Sequence, residues 1–218
     1  MPAIGIMDTD GAQGYPKLFN KAKKSGIKAI YGTAFTTINK ANEAILGEIP
    51  EGSFKDYPYV SFDIETTGLS PKFHEIIEFG AVDINQDLKV GKTTQFFIKP
   101  KDKIGSFTTE LTGITQQMLD SKGLDIKEGL EKIYDCLDGK IAIAHNAKFD
   151  FNFLKEQFRL NNMQFPRVTV IDTLVASRIG FPGYKRHKLE DVASRLGVVY
   201  DPNVAHRGDY DAKVLANV

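Results

Sequence analysis

Three short stretches hold residues whose types and spacing suit cation chemistry. The sharpest is Phe62-Asp63-Ile64-Glu65-Thr66-Thr67-Gly68-Leu69. In an extended chain residues two apart share a face, so Asp63 and Glu65 project together while Phe62 and Ile64 point the other way. Two such carboxylates repel each other unless water or a cation neutralises them. A solvated strand face is the plain reading of any Asp-x-Glu. The hydroxyls of Thr66 and Thr67, and the close backbone approach that Gly68 permits, shift this one toward a metal site. The second stretch is Ile143-Ala-His-Asn-Ala-Lys-Phe-Asp150, where Asn146 is placed to cap a helix and Asp150 falls in its first turn. On its own, Asp150 need only favour the helix dipole, by about 0.3–1 kcal/mol. The third, His206-Arg-Gly-Asp-Tyr-Asp211, sets a loop histidine ahead of a terminal helix. Alone, it reads as ordinary surface.

Those residues need elements to hold them. Tyr59–Ile64, Ile76–Ile84 and Thr93–Ile98 read as strands, and the turn residues Gly68–Pro71 and Asn85–Gly91 between them favour an antiparallel meander. Apolar residues at 126, 130, 133, 134 and 137 form a helical stripe within Leu124–Leu137. Ile141–Ala144 reads as a buried strand, and Phe149 to Leu160 as a helix. Val168–Ile171 is expected to be a strand, with helices near Thr173–Ile179 and Lys188–Leu196. The chain stops at Val218, inside what should be its last helix. Strands first, then alternating helix and strand, indicate an α/β domain with a mixed sheet.

The first 50 residues have a different texture. Strand (Ala3–Met7), helix (Gly14–Ser25) and strand (Ile27–Tyr31) make one βαβ unit, with Gly26 where a C-cap glycine belongs and a weak helix around Asn39–Leu46. One such unit cannot cover both faces of a parallel pair, so the segment reads as part of something larger. Residues 51–56 read as a linker, and the main domain as residues 57–218.

Composition narrows the classes. At 42% hydrophobic and 26% charged, the chain is neither collagen-like, coiled-coil nor wholly disordered. Lys+Arg and Asp+Glu balance at 28 each, so any nucleic-acid partner would need a local basic groove and metal ions instead of bulk charge. Lys185-Arg-His-Lys188 would supply such a patch, or would be a solvated loop. The single cysteine, Cys136, permits neither an internal disulfide nor a Cys-rich zinc site, and is expected to pack on the apolar side of a helix. No apolar run approaches the roughly 20 residues of a membrane span, and the N-terminus lacks a signal-peptide pattern. A soluble cytoplasmic protein is expected.

Together the motifs resemble the DEDDh family of 3′–5′ exonucleases, the DnaQ-like branch of the ribonuclease H-like fold. The resemblance rests on D-x-E-T-T-G-L, H-N-x-x-F-D and H-x-x-x-x-D in this order, with Glu110-Leu-Thr-Gly-Ile-Thr115 and Asp172-Thr-Leu174 between them. It covers Tyr57 to the C-terminus. Ile6-Met-Asp-Thr-Asp10, Gln13, Tyr15-Pro16 and Lys24–Gly32 in turn resemble the polymerase-and-histidinol-phosphatase (PHP) domain of PolC-type bacterial DNA polymerase III, into which an exonuclease is inserted. Thr9 and Ala34 stand where that domain usually has metal-binding His and Glu. The segment is therefore expected to hold no metal; a second phosphoesterase centre using Asp8 and Asp10 is the disfavoured alternative.

The resemblance implies a mixed sheet of three antiparallel plus parallel strands with flanking helices. It implies that Asp63, Glu65, Asp150 and Asp211 hold two divalent cations, Mg²⁺ or Mn²⁺, with Asp63 bridging both. It makes His206 the general base, and favours Asp211 over Asp209 as ligand. Thr66, Thr67, Leu69, Asn146 and Phe149 become contacts for the 3′-terminal nucleotide, although Leu69 and Phe149 also read as ordinary core. His145 is expected to support fold or phosphate, and His74 and His187 to lie at the surface. The implied function is removal of nucleotides from DNA 3′ ends, single-stranded or mispaired, as a proofreading module working with a polymerase domain in cis or in trans and away from membranes. An RNA-trimming exonuclease and a non-catalytic polymerase-binding remnant are the alternatives.

Overall fold

The computed structural model describes residues 2–9, 12–34, 44–202, 204 and 207–218. The chain divides into two compact units, residues 1–39 and 40–218. In the first, strands β1 (Ala3–Thr9) and β2 (Lys28–Ala34) pair in parallel and flank helix α1 (Tyr15–Ser25), the expected βαβ unit. Gly26 closes α1 in the left-handed region, φ 62°. The Asp8 carboxylate accepts the Gly14 N–H at 2.6 Å, a structural use at the entry to α1. Asp10 and residues 35–43 lie outside the described residues.

The second unit is built on one six-stranded sheet in the order β3-β8-β7-β4-β5-β6. Its strands are β3 (Ile45–Gly47), β4 (Tyr59–Thr66), β5 (Ile76–Ile84), β6 (Val90–Phe97), β7 (Ile141–Ala144) and β8 (Thr169–Asp172). β4, β5 and β6 form the expected antiparallel meander, while β7 pairs in parallel with both β4 and β8. β3 differs from expectation. The described end of the weak helix around Asn39–Leu46 is a strand, hydrogen-bonded antiparallel to β8 through Ile45↔Ile171. The larger unit therefore begins before residue 50, and the stretch read as the end of the N-terminal segment is a sheet edge. At Gly47, φ is 84° and a Cβ would lie 2.2 Å from the Val168 carbonyl oxygen, so only glycine lets this edge sit so close.

Helices α2 (Ser106–Thr112) and α3 (Gln116–Lys122) precede α4 (Ile126–Leu137); α5 (Lys148–Leu160), α6 (Thr173–Gly180), α7 (Leu189–Leu196) and α8 (Gly208–Asn217) follow. The stripe on α4 buries Leu130, Ile133 and Leu137 against Val60 and Phe62 of β4, with Phe153, Leu154 and Phe158 of α5 completing that core. Each such side chain contributes about 1.5–3 kcal/mol when removed from water. Cys136 packs half-buried against the same core, and burial pushes its thiol up to about 11. A smaller cluster of Ile77, Phe97, Ile114 and Leu119 seats α3 near β5 and β6.

The opposite face of the sheet receives α8. Alternation along β4 sends Val60, Phe62 and Ile64 into the main core and Ser61, Asp63 and Glu65 to the other side. There the Ser61 hydroxyl donates to the Ala212 carbonyl at 2.7 Å, tying α8 to the strand that carries the acidic pair.

Candidate active site

Asp63 and Glu65 stand at the carboxyl end of β4, the central strand, where open α/β sheets place their ligands. Asp211, in the first turn of α8, joins them: one carboxylate oxygen from each of the three lies within 4.8 Å of the others. Their approach depends on a gap in the sheet. Gly80 faces Asp63 across the β4–β5 ladder, and a Cβ there would lie 2.0 Å from the carbonyl carbon of Gly208. The backbone at the start of α8 occupies that space, which delivers Asp211 to the pair. Asp209 points elsewhere and pairs with Lys213 at 3.7 Å.

Asp150 lies outside this group of three. It is buried in the first turn of α5, and its carboxylate accepts the Ile64 N–H at 3.3 Å, between the two acidic residues of β4. Its charge is the largest after burial in disfavouring ionisation of Asp63, which is held well above the usual carboxylate range by burial, then by Asp150, Glu65 and Asp211. Burial, then Glu78 and Asp211, pushes Glu65 up to about 9. Burial likewise raises Asp150 to about 8, against the backbone N–H groups that favour its charge. Arg207 is the cation that opposes the rise at Glu65, yet its Nε lies 3.6 Å from Glu78.

Three carboxylates brought this close repel one another, and a bound cation would offset both that repulsion and the cost of their burial, so the donor set fits a cation. All-oxygen donors suit Mg²⁺, Mn²⁺ or Ca²⁺ better than zinc, which favours imidazole and thiolate.

The other predicted residues separate. Asn146 is exposed just after β7 with φ 61°, and its backbone N–H donates to Asp172 Oδ1 at 3.1 Å. It does not cap α5 through its side chain; Ala147 holds the N-cap position, and Asn146 contributes its carbonyl to Phe149 N–H. The helix therefore starts at Lys148, one residue beyond where a cap at Asn146 would start it and one before the expected Phe149. Phe149 is half-buried against the main core and touches Phe153 at a ring separation of 4.8 Å, whereas Leu69 is 84% exposed and is not core. The Thr66 hydroxyl donates to the Gly68 carbonyl, and Thr67 Oγ1 accepts the Glu75 N–H, so both shape the turn after β4. His206 lies outside the described residues.

Two histidines expected at the surface are structural. His74 is half-buried, with Nδ1 3.2 Å from the Ser70 backbone, and its ring packs over Gly68. His187 bonds Ser177 Oγ and the Tyr184 carbonyl, fixing the loop between α6 and α7. His145 Nδ1 meets Thr173 Oγ1 at 2.9 Å, and burial lowers its pKa.

A cleft of about 620 Å³ joins these parts. Asp63, Asp211, His145, Asn146 and Tyr200 line it together with Arg178, Lys185, Arg186, His187 and Lys188. The basic run thus shares one opening with two of the clustered carboxylates, Asp63 and Asp211. Sequence reasoning missed Gly80 and Glu78 because both are single residues within a nearly continuous apolar run. It named Asp172 within the Asp172-Thr-Leu174 match but gave it no role; its carboxylate caps α6 and fixes the Asn146 turn.

A six-stranded mixed sheet with acidic residues at the end of its central strand and a third carboxylate on a covering helix defines a ribonuclease H-like nuclease fold. The same fold occurs in exonuclease I of E. coli bound to a dA16 oligonucleotide, with a TM-score of 0.63 at 18% identity over 73% of this chain and 39% of that one. It recurs in exonuclease X bound to 5′-overhanging duplex DNA, with a TM-score of 0.58 at 23% identity over 73% and 87% of the two chains.

The chain belongs to the exonuclease family whose RNase_T model matches residues 60–218. Over almost its whole length it is similar to PolC-type DNA polymerase III. Identity is 45% over 221 residues with that of Mycoplasmopsis pulmonis (strain UAB CTIP) and 35% over 218 residues with that of Thermotoga petrophila. The chain spans about 15% of the length of these curated relatives.

Proposed function

We propose that the chain removes nucleotides from DNA 3′ ends by metal-dependent hydrolysis, as the proofreading exonuclease segment of a PolC-type bacterial DNA polymerase III acting in the cytoplasm. The observation that carries this reading is the convergence of Asp63, Glu65 and Asp211, two of which, Asp63 and Asp211, line a cleft shared with a run of basic side chains. The similarity to PolC-type polymerases supports the replicative setting, and residues 1–39 are then a PHP-like piece lacking a metal site. The described elements include no helix long and apolar enough to cross a membrane.

In this reading Asp63, Glu65, Asp150 and Asp211 hold two divalent cations, Mg²⁺ or Mn²⁺. When bound, such ions acidify the attacking water and neutralise charge on the phosphate. His206 accepts the proton of that water, which requires its neutral form; with an ordinary imidazole pKa near 6.5, activity rises as pH passes that value. Arg178, Lys185, Arg186 and Lys188 engage the phosphodiester backbone. Thr66, Thr67 and Asn146 border the 3′ terminus, and exposed Leu69, with Phe149, meets the terminal base.

The test incubates the protein with 5′-labelled single-stranded DNA, mispaired primer–template and RNA, each with Mg²⁺, Mn²⁺ or EDTA. A stepwise DNA ladder that EDTA abolishes and Asp63→Ala eliminates is expected. Preference for RNA would assign the site to RNA trimming, and absence of a ladder would leave a binding remnant. A single-turnover rate flat from about pH 6 to 9 would remove His206 from the proton transfer.

A further inference from the structure

Glu78 is fully buried near the start of β5, directly across the ladder from Glu65. A carboxylate taken out of water is costly unless its oxygens are engaged. Here both are. Oε1 accepts from Gln95 Nε2 at 2.6 Å, and Oε2 accepts the backbone N–H of Gly208 at 3.1 Å. Oε1 also lies 3.6 Å from Arg207 Nε, a buried nitrogen with no hydrogen-bond partner among the described residues.

Gly208 is the first residue of α8, and Arg207, at its N-cap position, provides no side-chain cap. Glu78 therefore does from a neighbouring strand what an N-cap side chain does from within its own helix. It accepts one of the otherwise unpaired N–H groups and sets negative charge at the positive end of the helix dipole. The void at Gly80 allows α8 to come close, and the Ser61 bond to Ala212 secures the next turn. Glu78 adds the attraction at the leading end, and Asp211 sits in that same first turn.

We propose that Glu78 is a positioning residue: by holding Arg207 and the Gly208 N–H, it fixes the start of α8 on the sheet and sets where Asp211 stands relative to Asp63 and Glu65. For its effect on metal affinity, the inference rests on the cation-binding reading of that cluster; the anchoring itself does not.

The test compares wild type, Glu78→Gln, Arg207→Gln and the double variant in the full chain. Glu78→Gln keeps the shape and one acceptor oxygen but removes the charge that Arg207 faces, and Arg207→Gln alters only a side chain partly open to solvent. Amide exchange followed by mass spectrometry is expected to accelerate about tenfold in the peptide covering the start of α8 and to stay unchanged in β4 and α4. Mn²⁺ affinity, titrated by electron paramagnetic resonance without nucleic acid, is expected to weaken about 10–100-fold, the range for losing an outer-shell partner. Because both single variants break one clamp, the double variant should be no worse than Glu78→Gln.

Wild-type exchange at α8 in Glu78→Gln would overturn the proposal, as would uniform acceleration across the fold or additive losses in the double variant. Loosened α8 with unaltered Mn²⁺ affinity would equally sink the link to Asp211. If wild type itself takes up no Mn²⁺, the cation reading fails, and the exchange arm still decides the anchoring.

Discussion

Replacing Gly80 by alanine tests the geometry of the site with one carbon atom. The added Cβ would lie 2.0 Å from Gly208 C, 2.2 Å from Gly208 O and 2.3 Å from Asp209 N. All three are backbone atoms, so no rotamer change relieves the contact. To reach ordinary van der Waals separation, the start of α8 must retreat by about 1.4 Å from β5. Asp211 rides on that first turn, while Asp63 and Glu65 stay on β4. A displacement of about 1 Å at a reacting centre costs about 100-fold, so Gly80→Ala should cut single-turnover cleavage by about two orders of magnitude and weaken Mn²⁺ binding in parallel. The fold should survive. Overpacking of this kind costs about 1–3 kcal/mol, which for a chain of this length lowers the melting temperature by about 2–12 °C. Circular-dichroism melting, Mn²⁺ titration and rapid-quench cleavage of labelled DNA measure the three effects. A folded Gly80→Ala protein that binds Mn²⁺ and cleaves DNA within about threefold of wild type would refute the claim that this close approach delivers Asp211.

Further predictions concern charge and the cleft wall. Glu65 and Asp150 titrate near 9 and 8 when folded, above the ordinary 4.5 and 3.8, so the folded state holds protons the unfolded chain releases. Metal-free stability should therefore fall as pH rises from about 5 to 8, by up to about 1.4 kcal/mol per pH unit for each group, and Mn²⁺ should restore it; urea melts with and without EDTA measure this. Lys185→Ala and Lys188→Ala should each flatten the salt dependence of single-strand binding by about 0.7 in log–log slope, read by fluorescence anisotropy. The Arg195 guanidinium lies 4.1 Å from the Tyr184 ring centre and donates to the Arg186 carbonyl, so Arg195→Ala should loosen that wall and raise KM about 2- to 30-fold with kcat retained in steady-state assays. Asp172→Ala unpairs the N–H groups of Asn146 and Leu174 and should cost about 0.5–2 kcal/mol in a thermal melt.

What the sequence displayed about this molecule follows the range of the interactions involved. The βαβ unit and the β4–β5–β6 meander are local in sequence, and their hydrophobic periods and turns mark them within a few residues. The shared projection of Asp63 and Glu65 needs nothing beyond strand parity. β3 is three residues long and its partner lies more than a hundred residues on, so neither period nor turn announces it. Helices α2 and α3, at seven residues each, are too short for a stripe to emerge.

The site divides along the same line. Charged residues in turn-rich surroundings drew attention, whereas the features that bring them together, a missing side chain at Gly80 and a carboxylate at Glu78, are embedded in Ile76–Ile84, a strand that reads as plain core. A periodicity argument treats an isolated polar or absent side chain in such a strand as tolerated, because it scores the element and not the pairing across it. Once β4 is set beside β5, Gly80 falls opposite Asp63 and Glu78 opposite Glu65. One pairing then supplies both the space and the anchor that α8 requires. The position of Asp211 is thus determined on β5, a strand that contributes none of the three clustered carboxylates, so a search for catalytic side chains alone passes over the residues that assemble the site.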